Sequence, residues 1–208
     1  MSVDLLGKIF GSVERVKLLK LFLFRGSDPI DKEDIENFAR IPKAKVTKEI
    51  SNLEKTGFIK KTSYFKEVED KRQKKMIKKR VSGYRADTQF QYYKQLKQLL
   101  INTTPIEDKE LIKRLSKIGK LKGVVISGLF LQESDSIVDL LIVADEVKKA
   151  AFNAFIKTLE SEVGTSIRYT LLTVKDFKYR ISMYDRLVRN VLDYEHIVIY
   201  DKVGIENY

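Results

Sequence analysis

A chain of 208 residues, 43% of them apolar and none of them cysteine, can build one large core or two small ones and excludes disulfides and thiolate metal sites. No apolar run nears the roughly 20 residues that a membrane span requires, so a soluble protein with no membrane partner is expected. The formal charge of +11 sits wholly in residues 1–100, where 24 Lys/Arg face 13 Asp/Glu, while residues 101–208 balance at 16 against 16. That imbalance predicts a polyanionic partner for the first half, nucleic acid being the usual one.

The N-terminus carries an acid at Asp4 and no small-residue cleavage site, so it does not read as a signal peptide, and a cytoplasmic setting is expected. Leu5, Leu6, Ile9, Val13, Val16, Leu19 and Leu23 recur at helical spacing and predict one helix over 3–24, closed by Gly26-Ser27-Asp28-Pro29. A second short helix is expected in DKEDIENFARI, with Asp31 as N-cap and Asp34 three residues on. Pro42 opens a third, PKAKVTKEISNLEKTGF, which Gly57 ends. In it Val46, Ile50 and Leu53 fall within about 60° of one another. Ala44, Lys48, Ser51 and Lys55 occupy the opposite face, flanked by Lys45 and Asn52. Lysines and small polar residues opposite an apolar stripe suit a helix in the major groove, and equally suit any solvated face.

FIKKTSYFKEV and KKMIKKRVSGYR then read as two strands joined near Glu69-Asp70-Lys71, with seven cations and no acid over residues 71–80. Three short helices and a basic hairpin, together with the run EISNLEKTGFIKK, resemble a winged helix-turn-helix over residues 1–86. The resemblance implies double-stranded DNA as partner. Lys43, Lys45, Thr47, Lys48, Ser51, Asn52 and Lys55 would lie along the recognition helix, and Lys71, Arg72, Lys74, Lys75 and Lys78 on the wing beside the backbone.

Residues 87–101 predict a connecting helix capped by Asp87, with Phe90, Tyr93, Leu96 and Leu100 on one side. That side can pair two copies into a homodimer or pack on the chain's own first helix. The polar, Pro-containing INTTPIE closes a connecting segment over 87–104.

Over 105–208 helices and strands alternate: a helix at 106–119, strands at 123–130, 136–144 and 166–174, a helix at 146–164, two short helices across 175–195, and a last strand HIVIYD. The class expected for the whole chain is therefore α+β. Ser127-Gly128, the VDLLIV strand, the helix behind it and the two-helix-and-strand tail resemble the minimal nucleotidyltransferase domain of the polymerase-beta superfamily. Active members follow a Gly-Ser pair by Asp-x-Asp/Glu and a later acid, carboxylates that hold Mg²⁺ and phosphate. In this chain Leu129 follows Gly128, Ile137 stands at the first acid, only Asp139 remains, and SIRYTLLTV has no acid. Asp135 is too distant if 135–138 are strand, where four residues span about 13 Å; a turn there would weaken that objection. The resemblance thus implies a domain without catalysis or cofactor, serving dimerisation or sensing of a small-molecule or nucleotide effector, with Gly128 and Asp139 as the remnant of a ligand site. Asp139 has a structural use as well, bonded to backbone N–H groups or to Arg168. His196 is the only histidine and has no partner for triad or metal chemistry. Three rivals stand against a DNA-binding regulator: an active Mg-dependent nucleotidyltransferase, the regulatory half of a toxin–antitoxin pair, and an RNA-binding module.

Overall fold

The computed structural model describes residues 3–70, 75–101, 106–132 and 135–208. Among them are nine α-helices and two β-sheets, a mixed α/β chain. It divides into two units, Val3–Thr103 with Ser161–Thr165, and Thr104–Glu160 with Ser166–Tyr208. No helix of the described residues is long and apolar enough to cross a membrane.

The first unit begins with a departure from the expected single helix. Helix α1 (Val3–Phe10) and helix α2 (Val13–Arg25) are separate. Ser12 is extended and caps α2, its Oγ accepting from Arg15 N at 3.0 Å. The apolar stripe continues in phase across the break, so periodicity alone does not reveal it; the Gly11-Ser12 stop and cap do. Helix α2 buries Val16, Leu18, Leu19, Leu21, Phe22 and Leu23, which cover most of its circumference and make it the central helix of the unit.

Helix α3 (Lys32–Ala39) starts at Asp31, whose Oδ1 accepts from Asp34 N at 2.9 Å. Helix α4 (Lys43–Lys55) follows Pro42 and ends before Gly57. Strands β1 (Ile59–Asp70) and β2 (Lys75–Ala86) form an antiparallel ladder from Ile59 opposite Ala86 to Asp70 opposite Lys75. A third element was not foreseen. Ile30, between α2 and α3, bridges Tyr84 on the far side of β2, with Ile30 N to Tyr84 O at 2.9 Å and Tyr84 N to Ile30 O at 2.8 Å.

The connecting helix is shorter than expected: Asp87 accepts from Gln89 N at 3.2 Å within a turn, and α5 spans only Tyr93–Leu100. The face left open between pairing and internal packing does the latter. Phe90, Tyr93 and Leu96 pack with buried Leu100 on the core of α2, α4 and β1. Phe58 meets Phe90 edge-on at 5.7 Å, and Tyr93 Oη donates to Leu23 O at 3.3 Å. That face is not free to join two copies.

The second unit holds α6 (Asp108–Ser116), β3 (Lys120–Ser127), a 3-10 turn at Gly128–Phe130, β4 (Leu140–Asp145), α7 (Lys149–Val163), β5 (Tyr169–Leu172), α8 (Val174–Ser182), α9 (Arg186–Asp193) and β6 (His196–Asp201). The sheet order is β5-β4-β3-β6. β3 is antiparallel to β4 and β6; β4 and β5 are parallel and joined through α7, the kind of crossover a parallel pair needs. Val125, Leu141 and Val143 pack beneath Phe177, Val188 and Val191 of α8 and α9. Ile142 and Ala144 point the other way, toward Leu115 of α6 and Phe152 of α7. With both sheet faces covered, its strands read as apolar runs rather than alternations.

The strand expected over 123–130 runs instead from Lys120 to Ser127, and Gly128–Phe130 form a 3-10 turn. Two further strand boundaries correct the expectation. The strand expected over 136–144 begins only at Leu140, so Asp139 lies at its entrance and Asp135 outside it. The strand expected over 166–174 is confined to Tyr169–Leu172, with Arg168 just before it. In both places side-chain and backbone bonds around Asp139 replace ladder pairing, a competition that periodicity does not report.

Candidate nucleic-acid interface

On α4, Val46, Ile50 and Leu53 are buried as their spacing requires, and they set the opposite face in solvent. Lys43, Ala44, Lys45, Thr47, Lys48, Ser51 and Lys55 are exposed and Asn52 is half-buried. Lys45 is ion-paired with Glu14, whose carboxyl the Lys45 hydrogen bond holds below its ordinary value. Glu49 lies inside the apolar stripe and is buried. Arg15 Nε donates to it at 2.8 Å, and the Ser12 hydroxyl lies 3.3 Å away. This polar bridge from α4 to the start of α2 escaped the sequence reading, although a lone acid in an apolar stripe was its signal.

The hairpin carries eight cations and three acids over Ile59–Asp70 and Lys75–Ala86. Lys75 and Lys78 are exposed, as are Lys79 and Arg80; Lys71, Arg72 and Lys74 lie outside the described residues. On one face, Lys66 Nζ reaches both Asp31 at 2.7 Å and Asp34 at 2.6 Å. Burial opposes the charge on Lys66, and the two carboxylates outweigh it, raising Lys66 well above the usual lysine range. Burial likewise opposes ionisation of Asp31, but bonds from Lys66 and Asp34 N lower it below the ordinary carboxylate value. The Tyr64 hydroxyl lies 3.3 Å from the same Asp31 carboxylate. Gly83 makes this crossing passable. A Cβ there would stand 2.7 Å from both Tyr64 Cε1 and the Ile30 carbonyl. The hairpin is thus braced against the start of α3.

In the second unit Asp139 is enclosed, its side chain 2% exposed. Oδ1 accepts from Leu129 N at 2.9 Å and Arg168 Nη2 at 2.6 Å; Oδ2 accepts from Arg168 N at 2.8 Å and Nε at 3.1 Å. The pairing with Arg168 expected from the sequence is therefore present, and bidentate. Gly128, at φ +49°, leaves the space that Asp139 Oδ1 and Arg168 Nη2 fill. Below them the Ser127 hydroxyl donates to Val138 O at 2.5 Å, and Ser136 Oγ lies 2.6 Å from the same carbonyl. Ile137 is half exposed, its N–H donating to Asn190 Oδ1 at 3.0 Å.

These residues do not fit the Mg²⁺ that a nucleotidyltransferase would hold. Both oxygens of the carboxylate are committed to four donors, and a guanidinium occupies the place of the cation. His196, half-buried, has Nδ1 2.9 Å from Tyr194 O. An open cleft lined by Leu171, Leu172, Asp176, Tyr179, Arg180, Met183 and Asp185 lies beside β5, its Arg180 paired with Asp185 at 3.0 Å.

No family model, no curated protein and no solved structure matches the chain.

Proposed function

We propose that this protein is a DNA-binding transcriptional regulator. Its first unit would be a winged helix-turn-helix on duplex DNA. Its second would be a nucleotidyltransferase-like domain that works without catalysis, in dimerisation or in sensing a small effector. The observation that carries the reading is the exposed face of α4, where Lys43, Thr47, Lys48 and Ser51 stand free of the core on the helix that leads directly into a hairpin of net positive charge. Support comes also from the Ile30 bridge, which pairs one residue between α2 and α3 with β2, and from the ion triad that braces the hairpin. Against an active enzyme stands the Asp139–Arg168 pair. A homodimer would form through a surface other than the packed side of α5, and the cleft beside β5 is the place for an effector.

The test is duplex binding across salt concentrations. Each lost phosphate contact lowers the slope of log K against log salt by about 0.9. Lys75→Glu with Lys78→Glu is expected to weaken binding to all sequences and to reduce that slope by about 1.8. Ser51→Ala is expected to change which sequences are preferred while keeping the slope. Selection of bound fragments from random duplexes would return a two-fold symmetric consensus. Unchanged affinity in the double charge reversal would remove the wing assignment.

A further inference from the structure

Nothing in the DNA-binding reading accounts for an aromatic ring on the flat of the hairpin. Phe65 is 71% exposed, and Met76, on the same side of the ladder, is 64% exposed. Side chains two apart on a strand share a face, so Ser63, Phe65, Glu67 and Glu69 stand with their opposite numbers Ser82, Arg80, Lys78 and Met76. Nearer the root the same side is buried at Ile59, Tyr84 and Ala86, and beyond Ser63 it stands in solvent. A solvent-facing Phe on a 12-residue strand carries an unrecovered hydration cost until something covers it.

We propose that Phe65 is a wedge, inserted between two base pairs of duplex DNA as the hairpin lies broadside on the minor groove. The proposal rests on the DNA-binding reading above. Three observations point to DNA as the occupant. The hairpin as a whole is cationic and so complements phosphate. Arg80 lies directly across from Phe65, and its Nε and Nη2 bond Ser63 Oγ at 3.2 and 2.9 Å, which keeps the guanidinium beside the ring, where a wedge needs a phosphate partner. Of the two acids on this side, Glu67 stands across from Lys78, and Glu69 is four residues further toward the tip, about 13 Å from the ring. The hairpin can also bear the load. Its other face is tied to α3 through Lys66, so the energy of insertion deforms the DNA rather than the hairpin.

An apolar wedge unstacks one step and bends and unwinds the duplex. Pyrimidine–purine steps, TA above all, open most easily. Phe65 therefore confers a sequence preference at a position that no hydrogen bond reads.

The chain of 208 residues has no Trp, so Phe65→Trp supplies a sole indole. Its emission is expected to be quenched by a 30-base-pair duplex with a central TA step, and several-fold less by an equal-length uninterrupted A-tract at the same occupancy. In parallel, closed circular plasmid is relaxed by a topoisomerase in the presence of protein. The wild type is expected to leave a lowered linking number. Phe65→Ala, its site exposed and its fold intact, is expected to bind plasmid about tenfold more weakly and to leave the linking number of free plasmid at matched saturation. Equal unwinding by wild type and Phe65→Ala would overturn the wedge and leave DNA binding standing. So would Phe65-dependent self-association without DNA, or quenching by single strands but not by the duplex. A wild type that binds no duplex at all would overturn the DNA-binding reading and the wedge with it.

Discussion

Replacing Asp139 by alanine tests what the enclosed carboxylate does. It serves four donors, of two kinds. The N–H groups of Leu129 and Arg168 are backbone, cannot move to water without distorting the 3-10 turn or the start of β5, and lose their acceptor outright, at about 1–3 kcal/mol each. The guanidinium is 51% exposed and returns to solvent, so its share is discounted to under about 1 kcal/mol. Recovering the desolvation of the carboxylate offsets part of the loss. The net expectation is about 3 kcal/mol, which at a urea m-value of about 1.5 kcal/mol per M lowers the midpoint by about 2 M. Arg168→Ala keeps both backbone donors and is expected to cost about 1 kcal/mol. Urea titration followed by tyrosine emission and far-ultraviolet circular dichroism measures both. If Arg168→Ala costs as much as Asp139→Ala, the guanidinium and not the amides holds the carboxylate, and the reasoning fails.

Gly128→Ala is expected to destabilise the same unit by about 2–4 kcal/mol, seen as a lowered unfolding midpoint, because a Cβ at φ +49° would collide with the Asp139 carboxylate. Gly83→Ala is expected to cost about 1–3 kcal/mol and to speed hydrogen exchange at the amides of Ile30 and Tyr84, since Tyr64 and the Ile30 carbonyl must give way. The folded pKa of Asp31 is lowered, so its contribution is fully present above its unfolded value near 4 and is lost as pH falls through the folded one. Urea midpoints of wild type are therefore expected to fall between pH 5 and pH 3, and Asp31→Asn, which can still cap α3, is expected to flatten that fall. The raised Lys66 acts at the other end: its contribution is complete below about pH 10.5 and declines above it, a decline that Lys66→Met is expected to abolish.

What was legible in the sequence was mostly local. Asp31 as a cap, the stripe of Val46, Ile50 and Leu53, and the order of elements in both units depend on residues within a few positions of one another. The break at Gly11-Ser12 was hidden because α1 and α2 keep one apolar phase across it. The Ile30 bridge is a single residue and leaves no pattern to detect. Lys66 with Asp31 and Asp34, and Glu49 with Arg15, join residues more than thirty positions apart, and nothing in one sequence announces such meetings. Asp139 with Arg168 was foreseen because both stood at the ends of neighbouring strands, where few other partners could reach. The start of β4 was placed too early for the same reason that Asp139 matters: its bonds to Leu129 and Arg168 displace the ladder.

The brace at the base of the hairpin also decides which strand residues pair. Slippage by one position would turn every side chain to the opposite face, and the buried Ile59 and Ala86 forbid it. Slippage by two keeps the faces and meets no such objection along the solvent-exposed length. It would, however, bring Val81 or Arg85 to the place of Gly83, beneath the Tyr64 ring where only a glycine leaves room, and would draw Lys66 away from its two carboxylates. One site near the root thus keeps both strands in step, and the far end can change in length and composition without mispairing.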